Sequence, residues 1–196
     1  MAKKPHHHGN LRAALIQAGI AIIEAEGLGA LTLRKVAARA GVSHAAPAHH
    51  FAGLAGLNIA LASQGWQLFT AEMEAHRQVA APEPRAQLVA ICEGYLAFAD
   101  KHPGLFTLIF NTDLGPYCDE GLNAASDAAY HVLQAACAPF APVSPRPGST
   151  EAMIWALVHG LACLRVGGHT GANAPPEAPK PAPYRFDEIL PPLRLK

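Results

Sequence analysis

Between residues 32 and 49 the chain sets hydroxyls, cations and histidines on either side of a glycine turn. Thr32, Arg34 and Lys35 come before it and Ser43, His44 and His49 after it, in LTLRKVAARAGVSHAAPAHHF (residues 31–51). Short hydroxyls and cationic side chains are the groups that reach phosphate oxygens, and histidine adds donors whose charge changes near neutral pH. Bond-making constellations are missing: there is no glycine-rich phosphate loop, no HExxH, no Ser/His/Asp arrangement and no carboxylate pair at helical spacing. The adjacent histidines 6–8 and 49–50 have no partner set at metal-ligand spacing, so neither a metal nor a cofactor is expected. The chemistry on offer is anion contact, and the chain is not expected to be an enzyme.

The elements that must hold these groups can be read locally. Thr32 is an N-cap candidate, because its hydroxyl can accept from the unsatisfied N–H groups two or three residues on. Leu31 and Val36 are spaced as a hydrophobic staple across that cap. Val36, Ala37 and Ala40 give a helix of about two turns one apolar side, and Gly41 supplies the left-handed residue that ends it. Ser43 is the next N-cap candidate, opening a second helix over 44–50. Helix, short glycine-containing turn, helix is the helix-turn-helix pattern, although an ordinary helical corner in a bundle has the same outline.

At 196 residues, 51% of them hydrophobic, the chain suffices for one large domain or two small ones with a full core. Alanine is abundant, β-branched residues are sparse and no stretch alternates apolar with polar, so helices without a sheet are expected. No apolar run reaches the roughly 18 residues of a membrane span, and MAKKPHHHGN lacks the apolar core of a secretory leader. Cys92, Cys118, Cys137 and Cys163 are irregularly spaced and read as small buried hydrophobes of a reduced, cytoplasmic protein. The formal net charge is zero but unevenly spread. Residues 1–51 hold six lysines and arginines against two acids, and residues 52–196 hold nine against thirteen. A basic nucleic-acid-reading head on an acidic body has that signature.

Periodicity predicts a first helix over about 10–26 with two apolar faces, Leu11, Leu15, Ala18 and Ile22 on one and Ile16, Ile20 and Ile23 on the other. A long linking helix follows over about 54–79, then helices over 85–101, 105–110, 117–137 and 150–167, separated by proline- and glycine-rich breaks. Residues 168–183 are proline-rich and low in complexity, a flexible stretch by composition, and 184–193 has enough apolar residues to dock back. The expected fold is all-α with about nine helices. A three-helix helix-turn-helix head (1–53) is joined by a linking helix to a helical-bundle body (54–196) for ligand binding and dimerisation.

The run HHHGNLRAALIQAGIAIIEAEG followed by LTLRKVAARAGVSHAAPAHHF resembles the head of TetR-type transcriptional repressors, over residues 6 to about 61. Trp155, His159 and Gly160 resemble the Trp-x-x-x-His-Gly signature of one branch of that family. The resemblance implies a homodimer that reads a palindromic operator in double-stranded DNA. It also implies a body whose small-molecule effector releases the DNA. By family position Thr32, Arg34 and Ser43 would anchor phosphates, with Lys35 beside them, and His44, Ala45, Ala46 and His49 would face the groove. There alanine methyls can touch thymine methyls and imidazoles can donate to guanine. Two positions depart from the family: Ala48 stands where a phosphate-binding tyrosine is usual, and Leu54 where a lysine or arginine is usual. Weakened DNA binding follows, and with it an alternative reading of the chain as a dimeric helical binding module with a head that has lost DNA.

In the body, Ala152, Trp155, His159, Cys163 and Val166 share one face of the 150–167 helix, expected to look inward. Met153, Ala156, Gly160 and Leu164 share a smaller-surfaced neighbouring face, expected at the dimer interface. Tyr95, Phe98, Phe106, Phe110, Tyr130 and Trp155 are then candidates to line an apolar effector cavity, with His159 as its polar handle. An aromatic stripe of this spacing also suits a packed core.

Overall fold

Apolar residues recurring every three to four positions put most of the described residues into helices. The computed structural model describes residues 8–111, 119–168 and 184–196. Among them are α1 (His8–Glu26), α2 (Leu33–Arg39), α3 (Gly53–Val79), α4 (Pro84–Lys101), α5 (Pro103–Asn111), α6 (Glu120–Cys137), α7 (Ser149–Val166) and α8 (Phe186–Ile189). Single 3-10 turns occupy Leu28–Ala30 and Ala46–His49. No strand forms among the described residues; an isolated antiparallel bridge joins Phe140 and Leu195. The all-α expectation holds, with eight α-helices described against about nine expected. The expected flexible stretch lies outside the described residues but for Gly168. No described helix is long and apolar enough to cross a membrane.

The chain divides into two compact units, residues 1–65 with 104–123, and residues 66–103 with 124–196. In the first, α1 buries Leu15, Ala18 and Ile22 from one face and Ile16, Ile20 and Ile23 from the other. Val36 and Ala37 of α2, Phe51 just before α3, Leu57 and Leu61 within it, and Leu105, Phe106 and Ile109 of α5 complete the core. Glu24 of α1 reaches across the sequence to α5: the Gly104 and Leu105 N–H groups donate to its two carboxylate oxygens at 2.9 and 3.0 Å. These are N–H groups of the first helical turn, which have no partner within a helix. The approach needs Gly104, because a Cβ there would sit 2.6 Å from the Ile23 carbonyl oxygen.

In the second unit α4 packs against α7 and α8. Leu88, Ile91, Tyr95, Leu96, Phe98 and Ala99 of α4 are buried, as are Ile154, Val158, Leu161 and Ala162 of α7. Gly94 lets α4 lie directly on α3, its missing Cβ being 2.7 Å from the Met73 Cα. The C-terminal segment docks back as its apolar residues suggested. Phe186 and Leu190 are buried, the Phe186 N–H donates to Glu93 at 2.7 Å, and the Arg85 guanidinium donates to the Leu190 and Pro191 carbonyls.

One expected helix is corrected. Residues 44–50 do not form an α-helix capped by Ser43; they form a 3-10 turn over Ala46–His49 whose N-cap residue is Ala45, with no side-chain cap. Pro47 is the reason. An α-helix opening at Ser43 would direct the residue-47 N–H at the Ser43 carbonyl, and proline has none. The Ala46 N–H donates to that carbonyl instead, at 3.0 Å, and Ala48 and His50 repeat the tighter three-residue step.

Gly94→Ala and Gly104→Ala should each destabilise the chain by about 1–3 kcal/mol, because a methyl in a closed contact forces backbone apart. Gly29→Ala, where nothing lies within 4 Å of an added Cβ and φ is not positive, is the control and should be neutral or stabilising. Urea unfolding midpoints of the three variants check the ordering; equal midpoints would mean that the glycine contacts carry no constraint.

Candidate functional site

The first unit presents its hydroxyls and cations outward around a turn with one buried residue, Pro47. The Lys35 N–H donates to the Thr32 hydroxyl at 3.1 Å, so Thr32 caps α2 as expected. Leu31 and Val36, the two ends of the staple, are buried. Gly41 ends the helix region with φ 70°, a conformation that an L-residue seldom takes. Pro47 is buried beneath the 3-10 turn, whereas Thr32, Arg34, Lys35, Ser43, His44, Ala45 and His49 are exposed and Ala46 is half-buried. The eight candidate DNA-contact residues thus lie on or beside one capped helix and the turn after it, and none is consumed by the core.

Charge on this surface is partly committed. The Lys35 ammonium is 2.8 Å from Glu26, and this hydrogen bond, with the charge of Lys35 behind it, holds the Glu26 carboxyl below its usual range. Arg34 is exposed on the same helix. Ala48 and Leu54, the positions lacking the expected tyrosine and cation, are both exposed, Leu54 to 41%. An aliphatic side chain at an exposed helix start is not explained by packing. Phe51, which closes the motif, is buried, and the Arg12 guanidinium lies over its ring at 5.5 Å from the centroid.

In the second unit, four of the seven ligand-site candidates come together. Tyr95 Oη lies 2.7 Å from His159 Nδ1, and the Tyr130 and Trp155 rings are 6.2 Å apart. Burial pushes the Tyr95 phenol far up from its usual value, outweighing the opposing hydrogen bond with Trp155, so the phenol stays protonated. Burial likewise lowers the His159 pKa, favouring the neutral ring. A neutral imidazole has one donor and one acceptor nitrogen, so it can pass a hydrogen bond from one side to the other. On its far side, Nε2 is 3.4 Å from Cys163 Sγ. Cys92 and Cys137 are buried hydrophobes as expected, with thiols pushed up by burial, whereas Cys163 is half-buried and takes part in this polar chain; Cys118 lies outside the described residues. Its i, i+4 spacing from His159 was the available signal.

The remaining candidates fall elsewhere. Phe98 is fully buried and packs edge-on against Phe69, 5.3 Å between centroids. Phe106 and Phe110 belong to the first unit, their rings 5.0 Å apart. The expected inward face of α7 is also corrected. Thr150, Ile154, Val158, Leu161 and Ala162 point into the core, while Trp155 is 43% exposed and Ala152 is exposed. From Ala152 to Leu164 every residue but His159 and Gly160 is apolar, so periodicity did not single out the buried stripe. Met153 is half-buried, and Ala156, Gly160 and Leu164 are exposed, Leu164 to 50%.

Residues 15–61 match the family described as bacterial regulatory proteins, tetR family, and residues 88–180 match the tetracyclin repressor-like, C-terminal domain. No curated protein matches the chain. Among solved structures, a protein of unknown function from Rhodococcus sp. RHA1 is 32% identical, with 88% of this chain and 91% of that one covered at a TM-score of 0.72. A TetR family transcription regulator from Marinobacter aquaeolei VT8 shares the fold at 16% identity, covering 86% and 89% with a TM-score of 0.62. So does the TetR-like transcriptional regulator LfrR from Mycobacterium smegmatis, solved in complex with proflavine, at 22% identity, covering 81% and 86% with a TM-score of 0.59.

Because His159 is harder to protonate in the folded chain than in the unfolded one, the unfolded state binds more protons around and below pH 6.5. Stability should therefore fall as pH drops from about 7 to 5, and His159→Gln should flatten that part of the profile. Urea midpoints measured across this range test the sign; a variant profile parallel to the parent's would remove His159 as the source.

Proposed function

The chain belongs to the tetR family of bacterial regulatory proteins, and on that premise we propose that it is a cytoplasmic DNA-binding repressor released from its operator by a small molecule. The observation that carries this reading is the outward row of Thr32, Arg34, Ser43, His44, Ala45 and His49 around a capped helix and a turn anchored by buried Pro47. Hydroxyls and guanidinium at the helix start suit phosphate oxygens, and the small Ala45 and Ala46 leave room for base edges between the two histidines. A homodimer would present two such heads to the halves of a palindrome. Exposed Ala156, Gly160 and Leu164 on α7, with Met153, form a surface on which a second copy could pack closely.

The effector would bind at the Tyr95, Tyr130, Trp155 and His159 cluster of the second unit. Trp155, His159 and Gly160 also support membership of the Trp-x-x-x-His-Gly branch. Tyr95 and His159 offer a protonated phenol and a neutral imidazole beside two aromatic faces, which suits a largely apolar ligand bearing one or two polar groups. The proflavine complex of the Mycobacterium smegmatis regulator is a precedent of that chemistry on the same fold.

A second reading, a dimeric helical binding module with a weakened head, is favoured by exposed Ala48 and Leu54. Gel retardation on a duplex selected from a randomised pool separates the two. The unaltered chain should retard it at low salt. Ala48→Tyr with Leu54→Lys should bind tighter, with a salt dependence steeper by roughly 0.9 per subunit in log–log slope. Binding by the double variant alone supports the weakened head, and binding by neither overturns the repressor reading. A single-subunit mass at micromolar concentration in sedimentation would overturn the dimer.

A further inference from the structure

We propose that Arg12 anchors the DNA backbone in this head, supplying from α1 the cation that the start of α3 lacks. The inference rests on the DNA-binding reading above. Arg12 is exposed on α1, yet its guanidinium is held over the ring of Phe51, 5.5 Å from the centroid, and that ring is almost wholly covered. A guanidinium that engages an aromatic ring through its face keeps its in-plane N–H donors available, and such donors can grip two oxygens of one phosphate.

The place in the chain matters as much as the stack. Phe51 follows His49 by two residues and precedes Leu54 by three, so the ring that carries Arg12 lies between the reading turn and the first turn of α3. Leu54 is exposed there with no charge to offer. Lys35, a further cation of this unit, is already paired with Glu26 at 2.8 Å. An arginine fixed by an aromatic ring has less side-chain freedom to lose on meeting a phosphate than an unsupported lysine would. The ring thus positions the charge, and α1 does the work that the family gives to α3.

The competing role for Arg12 is packing alone, a lid on Phe51, so the test separates charge from contact. Arg12→Met keeps an unbranched side chain on the ring and removes the charge, Arg12→Lys keeps the charge, and Arg12→Met with Leu54→Lys moves the charge to α3. Binding to a duplex selected by the unaltered chain, and to an unselected duplex of equal length, is measured between about 50 and 200 mM salt. Arg12→Met should weaken binding to both duplexes at low salt and lower the log–log slope by roughly 0.9 per subunit, with the melting temperature retained. Arg12→Lys should keep most of the slope, and Leu54→Lys should return it to the Arg12→Met chain. An unchanged slope in Arg12→Met overturns the proposal while leaving DNA binding intact. So does a slope loss that comes with a lowered melting temperature and is not restored by Leu54→Lys, which would make Arg12 a packing residue. Failure of the unaltered chain and of Leu54→Lys to bind any duplex overturns the DNA reading and this inference with it.

Discussion

The first turn of a helix exposes N–H groups that the helix itself cannot satisfy, and α5 meets that need with a carboxylate from α1. Glu24 accepts from Gly104 and Leu105, some eighty positions along the chain, and the approach is close enough that residue 104 has no room for a side chain. A charged acceptor on two N–H donors is among the stronger hydrogen-bonded arrangements a partly buried site can hold. It fixes α5 in both distance and rotation against α1, and α1 in turn lies under α2 and the 3-10 turn at Leu28–Ala30. Gly65 extends the same constraint to α3, where an added Cβ would come within 2.9 Å of Ile109. The core of the first unit is apolar, but its register is set by these backbone approaches.

What was legible in the sequence was local. The caps and turn of α2, the two-faced burial of α1, the long α3 and the docking of the C-terminal segment all follow from residues within a few positions of one another. Thr32 and Gly41 behave as their chemistry dictates. Pro47 was also local and was the signal that outweighed Ser43: it removes the donor of the first intrahelical hydrogen bond, and the chain takes the tighter 3-10 step instead. The Glu24 cap and the Arg12 stack were not legible, because they join residues whose proximity depends on the whole unit having folded.

The second unit shows a different limit. The middle of α7, residues 152–164, is apolar but for His159 and Gly160, so the residues that face the core can be told from those that face outward only through the neighbours supplied by α4. Tyr95 on α4 decides the matter for His159, giving its ring a hydrogen-bond partner on the side away from Cys163. The grouping of Tyr95, Tyr130, Trp155 and His159 was readable as a set of residue types. The displacement of Phe98 into a closed aromatic stack with Phe69 was not, since both roles have the same helical spacing.

The 3-10 turn at Ala46–His49 has a consequence for the length of any message this head reads. Four residues rising about 2.0 Å each cover about 8 Å, little more than two base-pair steps of about 3.4 Å. Side chains three apart eclipse in such a turn, which stacks Ala46 and His49 in one line instead of fanning them around a cylinder. Laid in a groove, the turn by itself would span only that narrow window, and His44 and Ala45 just before it would be needed to widen it. Bases beyond their reach would bear on recognition through the shape and stiffness they give the duplex.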